Sequence, residues 1–198
     1  MTGQRPMPAR NQAALDFLLT RRSRPAKTLQ PPVPSEAELR LLLTAAARSP
    51  DHGKLEPWRF IVLHRGALQR LATAVPARGA ALGLEAETVQ KMADKFGRAE
   101  LAVAVVSTPK PSEKIPQIEQ VYSAGAVCLA LLNAALAAGW GANWLSGWAS
   151  HDRDFVETHL GLGPGEQIAG FLHLGTESAA PPERPRPDLD ALTTVLDR

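Results

Sequence analysis

Residues 118–138 read IEQVYSAGAVCLALLNAALAA, the longest helical pattern in the chain. Apolar and small residues lie nearly all round this predicted helix, so it must be buried and another helix can approach it closely. Gly139 and Gly141 end it. In a domain of this size, a dimer interface is the simplest way to bury such a helix. The apolar run 124–138 is interrupted by Asn133 and is shorter than the ~20 residues of a membrane span, so we expect no membrane segment.

Strands are predicted on both sides of this helix. Residues 101–107 form a near-continuous apolar run with three valines, which is typical of a strand covered on both faces. Residues that favour strands fill 58–64, a short strand passes through Asn143 and Trp144, and 167–174 form a last interior strand. Helices alternating with a few buried strands predict an α+β fold, an α/β sandwich with a central mixed sheet flanked by helices.

Capping signals locate the other helices. Asn11 is placed to cap a helix that runs through Thr20. Ser35 and Glu38 form a capping-box pattern at the start of a second helix, which ends near Arg48. Three further helices are predicted over 66–74, 84–96 and 153–160.

Length and composition indicate one folded domain. The 198 residues are 44% apolar and 21% charged, so 1–198 is treated as a single domain. Within it, residues 1–10 are expected to be flexible, and the proline-rich tail 178–198 to pack on a partner subunit. The net charge of +2 is too small to indicate a nucleic-acid partner. The single Cys128 suits a reducing compartment, and 1–12 lacks a signal-peptide pattern, so we expect a cytoplasmic protein.

Three segments carry candidate chemistry. The first is Arg21-Arg22-Ser23-Arg24, directly after the first helix. Guanidinium forks beside a hydroxyl suit a phosphate monoester, although a solvated charge run has the same composition. The second is the loop 49–58, SPDHGKLEPW, where five polar side chains lie between a helix and a strand. None of the five histidines has the spacing of a zinc site.

The third segment is 139–147, GWGANWLSG, just past the long helix. Its glycines let backbone amides approach a ligand closely, and an indole can stack on a flat ring. It does not match the G-x-G-x-x-G pattern of dinucleotide-binding folds. Neither a P-loop nor a G-x-S-x-G nucleophile elbow occurs in the chain.

Taken together, these segments resemble the nitroreductase family of flavoproteins. The resemblance runs from about Leu15 to Leu196, nearly the whole chain. The order and spacing of its parts are specific, while no single motif decides it. The Pro-Asp-His form of the loop and the short length are similar to the small YdjA-like branch. The matching parts are Arg21-Arg22-Ser23, Pro57-Trp58-Arg59-Phe60, the helix from Ser123, and 141–147, 161–175 and 185–187.

This resemblance implies an intertwined homodimer with two FMN molecules bound at the subunit interface. It implies that Arg21, Arg22 and Ser23 hold the flavin phosphate and the ribityl chain or ring edge. Arg186, with Arg184 as the nearby alternate, would close on the phosphate. The remaining implied contacts are Arg48 and His52, which would reach the partner subunit's flavin, and Trp144, Leu145 and Ser146, which would lie along the ring.

The chain departs from the common family pattern in three places. Pro25 stands where many members carry a basic residue, so Arg24 or Lys27 would have to substitute for it. Arg22 or Arg24 is the candidate for the cation near flavin N1. Glu56 replaces the usual glutamine before Pro-Trp, and a carboxylate cannot donate an amide hydrogen bond. The loop also has the sequence DHGK over 51–54, where serine and asparagine are commoner.

The function implied is an FMN-dependent NAD(P)H oxidoreductase. It would pass electrons to nitroaromatics, quinones or similar small acceptors by a ping-pong mechanism, with the chemistry on FMN and no catalytic side chain or metal. The alternative is a flavin-binding storage or sensing protein with little turnover, suggested by Glu56 and the unusual loop. A weaker alternative is a nucleic-acid or acidic partner for the basic cluster 21–27, testable by a steep salt dependence of DNA binding.

Overall fold

The structure, a computed structural model, describes residues 9–197. Most of the segment 1–10 that was expected to be flexible therefore lies outside the described residues. Five strands form one sheet, with the order β1-β5-β3-β2 and with β4 paired to β5. The strands are β1 (Leu29–Gln30), β2 (Trp58–His64), β3 (Leu101–Ser107), β4 (Gly141–Leu145) and β5 (Gln167–Glu177).

Eight α-helices flank this sheet within residues 9–197. Asn11 caps the first helix and the capping box of Ser35 and Glu38 begins the second, as predicted. The predicted helix over 153–160 is present and ends at Gly161, which has left-handed backbone. The helices are α1 (Gln12–Thr20), α2 (Glu36–Ala46), α3 (Arg65–Ala81), α4 (Ala86–Gly97), α5 (Gln117–Ala137), α6 (Trp148–His151), α7 (Arg153–Leu160) and α8 (Leu189–Leu192).

The α+β class is confirmed, but the expectation of a mixed sheet is wrong for the described residues. All four strand pairings are antiparallel. The connection from β2 to β3 contains two helices, α3 and α4, which pack on each other. Such a helical hairpin returns the chain to the end of the sheet that it left, so the next strand runs antiparallel. A single crossover helix would have made the two strands parallel.

Both faces of the sheet are covered, as predicted for β3. Ala102, Ala104 and Val106 face a core formed with α3, α4, α6 and α7. The alternate residues of β3, Leu101, Val103 and Val105, face a second core formed with α2 and α5. Every residue of β3 is buried. The central strand β3 is thus enclosed by two packed layers, and β4 joins the sheet through its pairing with β5.

The structure corrects the length of α3. The helix was predicted to end at Ala74, before Pro76, but it runs through that proline to Ala81. A proline removes one backbone hydrogen bond inside a helix. Burial of Val75 and Gly79 on either side of it favours continuing the helix, and Gly79 packs closely on Val89 of α4. Tertiary packing therefore outweighs the local cost of the proline.

The long helix α5 is buried on one side only. Its inner face, including Val127 and Leu131, packs on the sheet, whereas Tyr122 and Leu129 on the outer face are 68% and 44% exposed. The expectation that the whole helix is buried therefore does not hold within the single chain. By length and composition alone, this 21-residue helix could cross a membrane, with a mean hydropathy of 1.5. A core helix meets the same criteria, and α5 packs on β3, β4 and β5.

Two buried titratable side chains lie in these cores. Burial raises the pKa of the Cys128 thiol to about 12, so this cysteine stays protonated and unreactive at neutral pH. Burial, together with the positive charge of Lys95, lowers the pKa of His173 from 6.5 to about 4. His173 on β5 is therefore neutral in the folded protein at neutral pH.

The lowered pKa of His173 makes stability depend on pH. Between pH 6.5 and about 4 the unfolded chain binds a proton at His173 that the folded protein does not. The free energy of unfolding should therefore fall by about 1.4 kcal/mol per pH unit as the pH drops through this window, with no such loss above it. Urea unfolding at several pH values measures the slope. His173→Gln should reduce it, whereas His64→Gln, at an exposed position, should not; an unchanged slope in His173→Gln contradicts this assignment.

Candidate functional site

A cavity of about 870 Å³ lies beside the segment that follows α1. Its charged lining is cationic, and among residues 9–197 no carboxylate lines it. Residues 21–23 and Pro25 line it after α1, β4 contributes Asn143, and the C-terminal tail contributes residues 184–187. The lining residues are Leu18, Arg21, Arg22, Ser23, Pro25, Asn143, Arg184, Pro185, Arg186 and Pro187. The structure thus brings together four of the site residues suggested by the sequence, Arg21, Arg22, Ser23 and Arg186.

The guanidinium of Arg21, which lines this cavity, does not use its full hydrogen-bonding capacity. Its Nη2 is 3.4 Å from Ser23 Oγ, a long hydrogen bond. Its Nε is buried and has no hydrogen-bond partner within residues 9–197. A buried guanidinium nitrogen without an acceptor costs folding free energy. The Arg21 guanidinium is therefore not saturated, and an anionic oxygen in the cavity that it lines would be stabilised by charge-assisted hydrogen bonds.

The C-terminal tail also lines the cavity. Arg22 Nη1 donates to the carbonyl oxygen of Pro182, which fastens the tail to the segment after α1. Arg186 is paired with Glu183 at 3.3 Å, and both side chains are largely exposed. An exposed pair of this kind is weak, so Arg186 can turn toward a bound anion at little cost. Arg184, the alternate to Arg186, also lines the cavity.

Arg24 does not line this cavity. Its Nη1 is 3.2 Å from Glu177 Oε1, and its backbone N–H donates to Ala142 O. Arg24 is therefore engaged with the end of β5 and with β4, which leaves Arg22 as the candidate cation for the ring. Asn143, which the sequence did not single out, donates from Nδ2 to Arg24 O at 2.6 Å.

Strand β4 presents Trp144 on the side opposite to Asn143. The indole Nε1 donates to Ala169 O at 3.2 Å, so the ring lies across β5. A Cβ on Gly170 would lie 1.9 Å from that Nε1, and the glycine is therefore required for this placement of the ring. The indole remains 37% exposed, which leaves part of its surface open to a ligand.

Leu145 and Ser146 follow at the end of β4. Leu145 is half-buried and paired with Phe171, and Ser146 is exposed. The carbonyl oxygen of Ser146 accepts a hydrogen bond from Lys95 Nζ at 3.1 Å. This lysine of α4 fixes the turn at Ser146, so the Ser146 carbonyl already has a donor. Gly147 packs on Met92 of the same helix, where a Cβ would be 2.2 Å from the Met92 methyl.

Arg48 and His52 lie apart from this cavity in the single chain. Arg48 is exposed after α2, and His52 Nδ1 is 2.7 Å from Glu119 Oε2 in the first turn of α5. Both side chains of the His52–Glu119 pair are exposed. The first turn of α5 adjoins its uncovered outer face, where Tyr122 lies one turn further on.

The loop around His52 is strained. Lys54 and Glu56 have φ values of 55° and 48°, in the left-handed region that disfavours residues with a side chain. The Asp51 carboxylate holds this shape by accepting hydrogen bonds from the backbone N–H groups of Leu55 and Glu56, at 3.2 and 2.7 Å. Strain held in this way is typical of ligand-binding loops.

Comparison with known proteins places these features in a family. A sequence model of the Nitroreductase family matches residues 18–176. YdjA from Escherichia coli (strain K12), provisionally named an NAD(P)H nitroreductase, is 34% identical over 163 residues, covering 82% of this chain and 87% of that protein. A Haemophilus influenzae protein with the same provisional activity name is 38% identical over 165 residues, covering 82% and 88%.

Solved structures agree on the fold. A protein from Desulfovibrio desulfuricans, provisionally named a nitroreductase and solved in complex with FMN, has a TM-score of 0.72 and 19% identity. The match covers 95% of this chain and 99% of that one. The family resemblance inferred from the sequence, including its small YdjA-like branch, is confirmed: the chain belongs to the nitroreductase family.

Proposed function

We propose that the protein is an FMN-dependent NAD(P)H oxidoreductase that passes electrons to small acceptors such as nitroaromatics or quinones in a ping-pong cycle. The observation that carries the proposal is the cationic cavity beside α1, which is lined by Arg21, Arg22, Ser23 and Arg186. The Arg21 guanidinium is not saturated, since its buried Nε has no acceptor in the described chain. The relatives named NAD(P)H nitroreductases and the similar fold solved with FMN support the cofactor and the electron donor.

The residues present fit FMN. Its phosphate dianion suits Arg21, Ser23 and Arg186, because charge-assisted hydrogen bonds from guanidinium groups are strong. Arg22 would stand at the ring edge, and Trp144, Leu145 and Ser146 would lie along the ring. When bound, FMN supplies the capacity to accept and release a hydride. The chain's own residues bind and orient it and supply fixed positive charge, so no catalytic side chain or metal is assigned.

We also propose that two copies of the chain form the site together. Ile118, Tyr122 and Leu129 leave an apolar stripe on the outer face of α5. Gly125 on the same face has open space where a Cβ would be, so another helix can come close. Asn133 Oδ1 is buried without a hydrogen-bond partner in the part of the chain that the structure describes. A second copy packed on α5 would cover the stripe.

The same dimer would also explain residues that lie away from the cavity within a single chain. His52 contacts the start of α5 through Glu119, and Arg48 follows α2, which packs on α5. Packing two α5 helices together would therefore bring both residues toward the other subunit. The tail beyond 187 exposes Leu189, Leu192 and Val195, which need a covering surface. We propose that this tail packs on the partner, that residues 1–198 form one domain, and that the protein is cytoplasmic, with no nucleic-acid or membrane partner.

Stopped-flow mixing tests the proposed activity. The purified protein reconstituted with FMN is mixed anaerobically with NADPH or NADH, and its visible absorption band is followed. We expect rapid bleaching, followed by recovery of the band when a quinone or nitroaromatic is added. A band that persists with both nicotinamides would contradict an oxidoreductase and favour the flavin-storage alternative.

A further inference from the structure

The segment 21–24 after α1 is held at Arg24 by the free edge of β4. One edge of β4 pairs with β5. On the other edge, the backbone N–H of Arg24 donates to Ala142 O at 2.8 Å, and the Asn143 side chain donates from Nδ2 to Arg24 O at 2.6 Å. Both polar groups of the Arg24 backbone are therefore satisfied by two successive residues of one strand.

An ion pair fastens the same residue from the other side. Arg24 Nη1 lies 3.2 Å from Glu177 Oε1 at the end of β5, and the two side chains are 30% and 23% exposed. The backbone of Arg24 is thus tied to β4 and its side chain to β5. Because Arg21 and Ser23 precede Arg24 within three positions, this anchoring limits where their donor groups can point.

Asn143 is the residue of β4 whose side chain contributes both to the cationic cavity and to the anchoring of Arg24. It lines the cationic cavity together with Arg21, Ser23 and Arg186, and it also holds Arg24. Its neighbours on β4 do neither with their side chains: Ala142 is buried in the core, and Trp144 lies across β5.

We propose that Asn143 is a positioning residue, which holds the segment 21–24 so that Arg21 and Ser23 aim at the phosphate of the flavin. This inference rests on the proposed function, since it assumes that FMN occupies the cavity. The effect of Asn143 should be larger at the phosphate end of the ligand, because Arg21 and Ser23 are the side chains proposed to face the phosphate, whereas Arg22 is the one residue of the segment proposed to stand at the ring edge.

The test compares FMN with riboflavin, which has the same ring and no phosphate. Fluorescence titration of the apoprotein with each ligand gives both dissociation constants for the full chain and its variants. Asn143→Ala should weaken FMN binding about fivefold, equivalent to one net hydrogen bond of ~1 kcal/mol, and should weaken riboflavin binding less. Asn143→Asp should weaken FMN binding further, because it cannot donate to Arg24 O and adds negative charge to the cavity.

Gln69→Ala is the matched control. Gln69 also donates a side-chain amide hydrogen bond to a backbone carbonyl, from Nε2 to Gly97 O at 3.0 Å, but it joins α3 to the end of α4. Its FMN and riboflavin affinities should equal those of the unaltered protein. The melting temperature of each apoprotein shows whether a variant has lost its fold.

Each result has a distinct meaning. If the unaltered protein binds no FMN, the proposed function fails. If the unaltered protein binds FMN and Asn143→Ala binds it equally well, the role of Asn143 is wrong and the proposed function stands. If Asn143→Ala loses FMN and riboflavin to the same extent, or melts early, Asn143 supports the fold in general and the positioning role is again wrong.

Discussion

Arg21→Ala is expected to weaken FMN binding by about 1.5–3 kcal/mol, roughly 12- to 160-fold in the dissociation constant. The buried Nε of Arg21 has no acceptor in the described chain, and the Arg21 guanidinium lines the cationic cavity beside Ser23. A phosphate in this cavity would accept charge-assisted hydrogen bonds from the Arg21 guanidinium. The alanine variant cannot form these bonds. Fluorescence titration of the apoprotein with FMN measures the change.

Two further variants frame this result. Arg21→Lys keeps the charge but loses the planar fork, so its affinity should lie between those of the unaltered protein and the alanine variant. Arg40→Ala removes an exposed arginine of α2 and should have no effect. Equal retention of FMN by Arg21→Ala and Arg40→Ala would exclude Arg21 from the site.

Ala126→Glu is expected to abolish dimerisation and flavin binding together. Ala126 lies on the outer face of α5, one turn from both Tyr122 and Leu129. A dimer would bury two new carboxylates without partners, each at a cost of several kcal/mol. Dimerisation should weaken by at least about 100-fold, which corresponds to ~2.7 kcal/mol. Sedimentation velocity measures association, and FMN titration at the same protein concentrations measures binding.

The matched control adds the same charge elsewhere. Ala77 is exposed on α3, so Ala77→Glu should remain a dimer and bind FMN normally. If Ala126→Glu stays dimeric, the outer face of α5 is not the interface. If it becomes monomeric yet binds FMN as tightly as before, the site does not require two subunits.

Most of the fold was predictable because local signals were strong. The bounds of β2 and β3 follow directly from runs of strand-forming residues, and the capping box gives the start of α2. The errors occurred where tertiary packing decides. The local propensity of Pro76 favours an earlier end of α3, but burial of Val75 and Gly79 stabilises a helix that continues past it. Strand direction depends on the number of helices in a connection, so the antiparallel sheet did not follow from strand composition.

The candidate site was predictable where chemistry clusters in the sequence. Arg21, Arg22 and Ser23 are consecutive, and the structure places them with Arg186 around one cavity. Asn143 was missed as a cavity residue, although its position in a short strand beside Trp144 predicts that the two side chains point to opposite faces.

The sequence contains no local signal for pairs of residues that are far apart along the chain. Arg24 with Glu177 and His52 with Glu119 are separated by 153 and 67 positions, so only the folded chain brings them together. The ion pair of Arg24 also distinguishes Arg22 from Arg24 as the candidate cation near the flavin ring, which composition alone could not do. Arg22 lines the cavity and Arg24 does not.

The central claim is that two copies of this chain jointly enclose FMN. Sedimentation velocity of the reconstituted protein, recorded at the protein band and at the flavin's visible band, tests it most directly. We expect the flavin to sediment with a dimer and each chain to carry one FMN. A protein that sediments as a monomer and leaves the added flavin behind would contradict it.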